Sequence, residues 1–372
     1  LSPWWSITSR TGQAAVLSSW PAQAWNEAAR IWPADRLSVS GGSLKVPISR
    51  KPAVFTAGTR SHIYTWSHSE TTEKDFPMNA SPPRLLVTGA GGQLGRRVVE
   101  LLLEAGVPNI VAASRDPSKL ADLAARGVEI RRVDFDDPAS LAPAFAGVDR
   151  LLLISTDSLG QPGQRIAQHR AAIAAAQAAG VSHLVYTSAP GARPEEGGGV
   201  IDDHFWTEQA LAASAIPGWT ILRHNLYAEL LLMGAGQAIT SGALYSATAG
   251  LGRAYVSRED CARVDAAALA RGEGRRILDV SGPAAVTQDE IAALYAKISG
   301  KPVAHHAIPA EGLRQGLTEA GLPPFMVAVL VDFDVSAAEG QHAIVTDVIE
   351  RLTGKAPVSV AAFLEANKAA LV

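Results

Sequence analysis

Residues 85–100 read LLVTGAGGQLGRRVVE, and few folds accept that order of residues. The apolar run 85–87 has the composition of a buried strand, and 92–105 follows with the spacing of a helix. Between strand and helix comes a run of spaced glycines, Gly89, Gly92 and Gly95. The first permits a tight turn out of the strand, the second lets backbone approach a pyrophosphate, and the third lets the helix pack closely on the sheet. The N–H groups that open the helix then face the phosphates, aided by the helix dipole. Glycine spacing alone is a weak signal. Here it sits between a strand and a helix and the next strand arrives on time, which is the context a dinucleotide-binding turn requires.

That context continues down the chain. Strand-like stretches at 110–113, 128–133, 150–154, 184–186 and 219–222 alternate with helix-like stretches at 117–125, 138–145, 164–179 and 202–213. Pro117 suits a first helical turn and Gly180 a helix end. Regular alternation predicts an α/β fold, a Rossmann-like doubly wound parallel sheet. After Arg223 it loosens into short helices, glycine-rich loops and an isolated strand at 277–280, with helical stretches at 287–299 and 310–320 flanking 301–308. The NAD(P)-binding domain is read as 78–223. Residues 224–372 are expected to form a smaller α/β region, integrated with the sheet, that closes a substrate cleft over its carboxyl edge.

The first 77 residues behave differently. They hold six of the eight tryptophans yet show no sustained period of 2 or 3.6. The first methionine is Met78, and MNASPPRLLVTG looks like the start of a domain. Three readings are open: translated upstream sequence that is not native, a targeting leader, or a poorly ordered extension.

Composition narrows the function classes. A formal charge of -3 over 372 residues gives no reason to expect nucleic acid as a partner. No apolar run reaches the roughly 18 residues of a membrane span. The single cysteine, Cys261, excludes an internal disulfide framework and fits a reducing, cytoplasmic setting; it is read as a small buried hydrophobe. His305 and His306 are neighbours on a predicted extended segment, so they point apart, and no metal is expected. Glu195 and Glu196 are read as solvated surface. The oligomeric state stays open, with a homodimer among the alternatives.

The residue that reads the adenosine ribose should lie about twenty positions past the glycines. Arg115 stands there, with Lys119 one helical turn on. An acid would bond a free 2′-hydroxyl and repel a phosphate, whereas a guanidinium suits a 2′-phosphate. NADP(H) is therefore the expected cofactor, with NAD(H) as the alternative. A solvated Arg115–Asp116 pair is the plain structural explanation of the same residues. Asp134 and Phe135 are placed to flank the adenine, and Ser155 and Thr156 to face the middle of the cofactor.

Many reductases on this scaffold use a Tyr-x-x-x-Lys pair, in which lysine lowers the tyrosine pKa. None of the six tyrosines here has lysine four residues on; Tyr186, at the expected strand end, is followed there by Pro190, and no lysine lies between Lys119 and Lys297. Hydride transfer itself needs only the nicotinamide held against an acceptor. A quinone fits, because its reduced oxygens take protons from water or a modest donor.

TGAGGQLG, LLLISTDSLGQ with QHRAAIAAAQAAGV, LVYTSA and LRHNLYAE together resemble the NmrA-like atypical short-chain reductases, nearest the quinone reductase and triphenylmethane reductase types. The resemblance runs from about Arg84 to near the C-terminus, and 1–77 have no counterpart in it. It implies cofactor contacts from Gly89, Gly91, Gly92, Gln93, Leu94 and Arg115, from Asn225 and Glu229 in the segment 224–229, and from Arg258. Arg223, Tyr227 and Glu229 match the family's pattern; His224, Leu226, Ala228 and Gln209 depart from it. His224 and Tyr227 are the candidate positioning or catalytic groups, each with a bland alternative: for His224 orientation of the loop backbone, for Tyr227 a core tyrosine with a satisfied hydroxyl. His204, Phe205 and Trp206 suit an aromatic wall for a flat acceptor or ordinary helix packing. The implied function is NADPH-dependent reduction of quinones or similarly flat, electron-poor, dye-like molecules. The rival is an NAD(P)-binding redox sensor that modulates a transcription regulator without turnover. A third reading, a biosynthetic reductase of the isoflavone-reductase kind, is disfavoured by the missing central lysine.

Overall fold

A strand in the middle of a parallel sheet covered by helices on both faces is buried on both faces, and Leu85–Val87 is buried at every residue. The computed structural model describes residues 82–195 and 198–371, together with the backbone of two short strands ahead of them, β1 (Ser6–Thr8) and β2 (Ala14–Val16), which pair antiparallel. The three readings of 1–77 and the placement of Glu196 otherwise lie outside the described residues. The described residues from 82 onward belong to one compact unit.

Seven parallel strands make the main sheet of that unit. In chain order they are β3 (Leu85–Val87), β4 (Ile110–Ser114), β5 (Glu129–Arg132), β6 (Arg150–Leu153), β7 (His183–Ser188), β8 (Gly218–His224) and β10 (Arg275–Val280), with β9 (Ala243–Ser246) set apart in a small parallel pair with β11 (Ala304–Ala307). Across the sheet the order is β5-β4-β3-β6-β7-β8-β10. The chain winds outward from β3 to one edge, then returns to β6 and winds to the other. The carboxyl ends of β3 and β6 therefore flank the switch point, where a doubly wound sheet opens a crevice.

On one face of the sheet, α1 (Gln93–Glu104) and α7 (Arg258–Arg271) bury Val98, Val99, Leu102, Val264 and Leu269. On the other, α3 (Leu141–Phe145), α4 (Gln164–Ala178) and α5 (Val200–Ala212) bury Phe145, Ile173, Ala176 and Leu211. A third cluster joins α6 (Leu230–Ser241), α8 (Gln288–Ser299) and α12 (Val360–Ala366) through Leu231, Ile239, Ile291 and Leu364. Two further helices, α9 (Ala310–Glu319) and α10 (Pro324–Ala338), pack on each other, and α11 (Val348–Thr353) packs on α7.

The stretch 277–280 is not an isolated strand: β10 extends over 275–280 and pairs with β8 as the seventh strand of the sheet. Helix α7 makes that crossover. It lies against α1, α11 and three strands and buries Asp260 and Asp265 along with its apolar residues. A helix covered on most sides, with acids among the buried positions, lacks the single apolar stripe by which a surface helix is read. The histidine neighbours on β11 do point apart: His305 lies 2.8 Å from Ser246 Oγ, and His306 stacks on Tyr245. Cys261 is fully buried, and that burial pushes its thiol well above the usual range.

Candidate active site

The turn out of β3 is shaped by close backbone approaches. Thr88, fully buried, donates from Oγ1 to the Leu152 carbonyl and accepts from the Ile154 N–H, both at 3.0 Å, tying β3 to β6. Gly89 follows at φ 62, where a side chain is strained. A Cβ on Gly95 would stand 2.5 Å from the Gly89 carbonyl oxygen, and one on Gly91 would stand 2.8 Å from Ser114 Oγ. Those spaces exist only for glycine. Helix α1 opens at Gln93 with Gly92 as an extended cap, no side-chain capping bond and no acid in its first turn. Its first N–H groups are left to an anion. Leu94 anchors this end of the helix to the core.

Beside the turn lies a cavity of about 340 Å³ whose lining includes Gly89, Gly91, Gly92, Arg115, Lys119, Phe135, Ser155 and Thr156. These are eight of the residues expected at the cofactor, drawn from the ends of β3, β4, β5 and β6. Arg115 is exposed, with its Nη2 3.7 Å from the carboxylate of Asp157 across the cavity. It is not paired with Asp116, whose carboxylate caps the 3-10 turn at Ser118 by accepting from its N–H at 3.1 Å and its hydroxyl at 2.6 Å. Those bonds hold the Asp116 carboxyl below its ordinary range.

Asp134 does not line the cavity. Its carboxylate takes Arg132 at 2.9 Å and the Asp136 N–H at 3.2 Å, fixing the loop after β5. Asp136 lines it instead, accepting from Gln164 and Gln168 at 2.8 and 2.7 Å. Sequence reasoning missed Asp136, Gln168, Ser114 and Asp157. A shift of two residues past a strand end carries no local signal, and Gln168 arrives from a helix.

The residues after β8 form a second group. His224 is buried, with Nε2 2.9 Å from Asp265 Oδ1 and Nδ1 3.3 Å from the Tyr227 hydroxyl. Arg258 lies over the Tyr227 ring at 5.3 Å from its centre and donates to Gln93 Oε1 at 2.8 Å, joining this group to the start of α1. Tyr227 keeps part of its surface exposed, while the atoms packed around it push its hydroxyl well above the usual phenol range. The Asn225 amide donates to the His342 carbonyl, and its oxygen accepts the Leu226 N–H. Glu229 accepts the Arg258 N–H at 3.0 Å, holding the start of α7. The Asn225 and Glu229 side chains thus bind the chain itself.

Tyr186, on β7, is fully buried with its hydroxyl 2.9 Å from His204 Nδ1, and burial raises its pKa strongly. His204 therefore faces the interior, where Arg165 meets its other ring nitrogen at 3.0 Å. Phe205 and Trp206 pack edge to face, and Trp206 is 41% exposed, with its Nε1 donating to Asp202 at 3.0 Å. Beneath this region Glu208, also buried, takes a two-pronged bond from Arg223 at 2.8 and 2.6 Å and the Ser188 hydroxyl at 2.7 Å.

A glycine cradle at the switch point of a seven-stranded parallel sheet, with Arg115 and Lys119 in the lining of the cavity beside it, defines a nicotinamide-dinucleotide oxidoreductase. Comparison with known proteins agrees. A family described as NAD(P)H-binding matches residues 89–271. Quinone oxidoreductase 2 of Escherichia coli is 38% identical over 260 residues, 69% of this chain and 88% of that protein. An NAD(P)H azoreductase of Xenophilus azovorans is 31% identical over 291 residues, 77% of this chain and 98% of that one. The crystal structure of triphenylmethane reductase from Citrobacter sp., complexed with NADP(H), superposes with a TM-score of 0.69 at 31% identity, covering 76% of this chain and 99% of that one. The chain belongs to this family of NAD(P)H-dependent oxidoreductases. Among the described residues no helix is long and apolar enough to cross a membrane.

Proposed function

We propose that this protein reduces quinones, or similarly flat and electron-poor acceptors, with NADPH. The observation that carries the reading is the pairing of a complete dinucleotide cradle with a buried Tyr186 that rests on His204 and has no lysine four residues on. A carbonyl-to-alcohol reaction needs a tuned proton donor, and a tyrosine whose pKa is raised by burial is a poor one. A quinone does not need it. The E. coli and Citrobacter relatives bear names of quinone and dye reductases, which supports an acceptor of this kind.

The residues divide the work as follows. The N–H groups opening α1, with Gly89, Gly91 and Gly92 set back to admit the backbone, hold the pyrophosphate. Arg115 and Lys119 would meet the 2′-phosphate of NADPH, and Phe135 would wall its adenine. Ser155 and Thr156 border the ribose side. His224, held by Asp265 and 3.3 Å from the Tyr227 hydroxyl, positions the 224–229 segment together with Tyr227, and neither moves a proton. Bound NADPH supplies a hydride. The anion left by hydride addition takes its one proton from solvent.

The test is loss of NADPH absorbance with a panel of benzoquinones, naphthoquinones and triphenylmethane dyes. Turnover with members of the panel is expected. Cofactor binding without turnover of any of them would overturn the acceptor assignment.

A further inference from the structure

Three consecutive N–H groups at the end of β6 are each met by a side chain. Ile154 donates to Thr88 Oγ1 at 3.0 Å, Ser155 to Thr187 Oγ1 at 2.9 Å, and Thr156 to His169 Nε2 at 3.0 Å. Thr88 and Thr187 belong to the turn after β3 and to β7, the neighbours of β6 in the sheet. His169 comes from α4, behind the cavity wall. Also from α4, Arg165 Nε donates to the Thr156 carbonyl at 2.9 Å, and Gln168 Oε1 accepts the Thr156 hydroxyl at 2.6 Å. Thr156 is thus gripped at its N–H, its carbonyl and its side chain by one helix.

The bond to Thr156 sets the state of the ring. To accept an N–H, Nε2 must be bare, so the proton resides on Nδ1. Nδ1 lies 2.9 Å from Thr207 Oγ1, which passes its own hydrogen to the Asp203 carbonyl at 2.7 Å. Every donor in this chain has an acceptor. Burial first, and the Arg165 charge second, hold the imidazole well below its usual pKa, so it stays neutral.

We propose that His169 is a positioning residue for NAD(P)H: through Nε2 it pins the Thr156 N–H inward and so fixes the 155–156 turn, whose residues line the cavity. Ser155 and Thr156 line the same cavity as Gly89, Gly91 and Gly92, so slack in this turn reaches the seat of the cofactor. The proposal rests on the cofactor alone and not on the acceptor.

NADPH fluorescence titration without any acceptor tests it, so a wrong acceptor assignment leaves the result untouched. His169→Leu, which keeps bulk but has no acceptor, is expected to weaken NADPH about tenfold, and His169→Gln, whose amide oxygen reaches the Nε2 position, by no more than about threefold. A folded Leu variant with unchanged affinity, or equal losses in both variants, would overturn the proposal. Should the Leu variant not fold, imidazole nitrogen NMR of the unsubstituted protein with NADPH bound decides. A ring protonated at Nδ1 beside an exchange-protected Thr156 amide supports the proposal, and a ring protonated at Nε2 overturns it.

Discussion

Arg115 and Asp157 face each other in the lining of the cavity beside the glycine turn, Nη2 to Oδ2 at 3.7 Å, from the ends of β4 and β6. Both side chains are exposed, so the pair itself contributes little to stability. Its meaning is competitive: a 2′-phosphate would take the guanidinium that Asp157 now faces. Arg115→Ala is expected to weaken NADPH by roughly 1.5–3 kcal/mol, the scale of a charge-assisted hydrogen bond, and to leave NADH little changed. Asp157→Asn is expected to tighten NADPH. Titration of each variant with both cofactors checks this, and equal losses for NADPH and NADH in the Arg115 variant refute the phosphate assignment.

Gly95 has no room for a methyl group, since a Cβ would lie 2.5 Å from the Gly89 oxygen. Gly95→Ala must lift α1 from the turn, at a cost of about 1–3 kcal/mol, typical of overpacking. Denaturant unfolding and NADPH titration should show the loss together, because the same shift misplaces the N–H groups of the cradle. A variant with native stability and affinity would contradict the close approach.

Glu208 is buried beneath Arg223 and Ser188. Glu208→Ala leaves the guanidinium without its partner in a half-buried place, and the expected loss is about 3–5 kcal/mol in unfolding free energy. Glu208→Gln, which retains the shape, should lose less. Urea denaturation of both variants measures it; equal stability of the Ala variant and the unsubstituted protein would show that water replaces the pair.

Acid should destabilise this protein before its carboxylates titrate. Burial depresses His183 and His342 to about 4 and places His169 and His204 well below their usual range. Unfolded, each takes up a proton near pH 6.5, so between about pH 6.5 and 4 the unfolded state binds more protons than the folded one. Stability is therefore full above about pH 6.5 and falls on acidification through that window, by up to about 1.4 kcal/mol per pH unit for each such histidine. Melting temperatures from pH 8 to 4 test the sign, and His342→Gln should flatten the slope. A melting temperature that rises on acidification would contradict it.

A chain beginning at Met78 contains every strand of the main sheet and every residue of the cavity. It is expected to fold and bind NADPH as the full chain does. Insolubility or loss of binding would assign 1–77 a structural part.

Legibility varied with how local each feature is. The strand, turn and helix over 85–104 were readable because glycine's steric role is decided within a few residues. Arg115 and Phe135 were readable because they fall at strand ends. Asp134 was the expected neighbour of the adenine, yet Asp136 lines the cavity, since Arg132 draws the Asp134 carboxylate away. The same holds for His204, placed by pattern near a cleft but turned inward to Tyr186 and Arg165. Helix α7 escaped because burial on several sides erases the one-faced pattern by which helices are recognised; the strand at 277–280 was readable, but its pairing with β8 was not.

The order of residues in this chain by itself determined the doubly wound sheet, the glycine cradle and a cation where a 2′-phosphate would sit, because each follows from backbone sterics or from period within a short window. Only the tertiary structure decided which acid meets Arg115, what His169 and His204 hold, and how Asp265, His224 and Tyr227 join. Apart from His224 and Tyr227 those partners are distant in sequence, and apart from the exposed Arg115–Asp157 pair burial, not spacing, chooses between them: a polar group removed from water has to take the nearest complementary atom the fold presents.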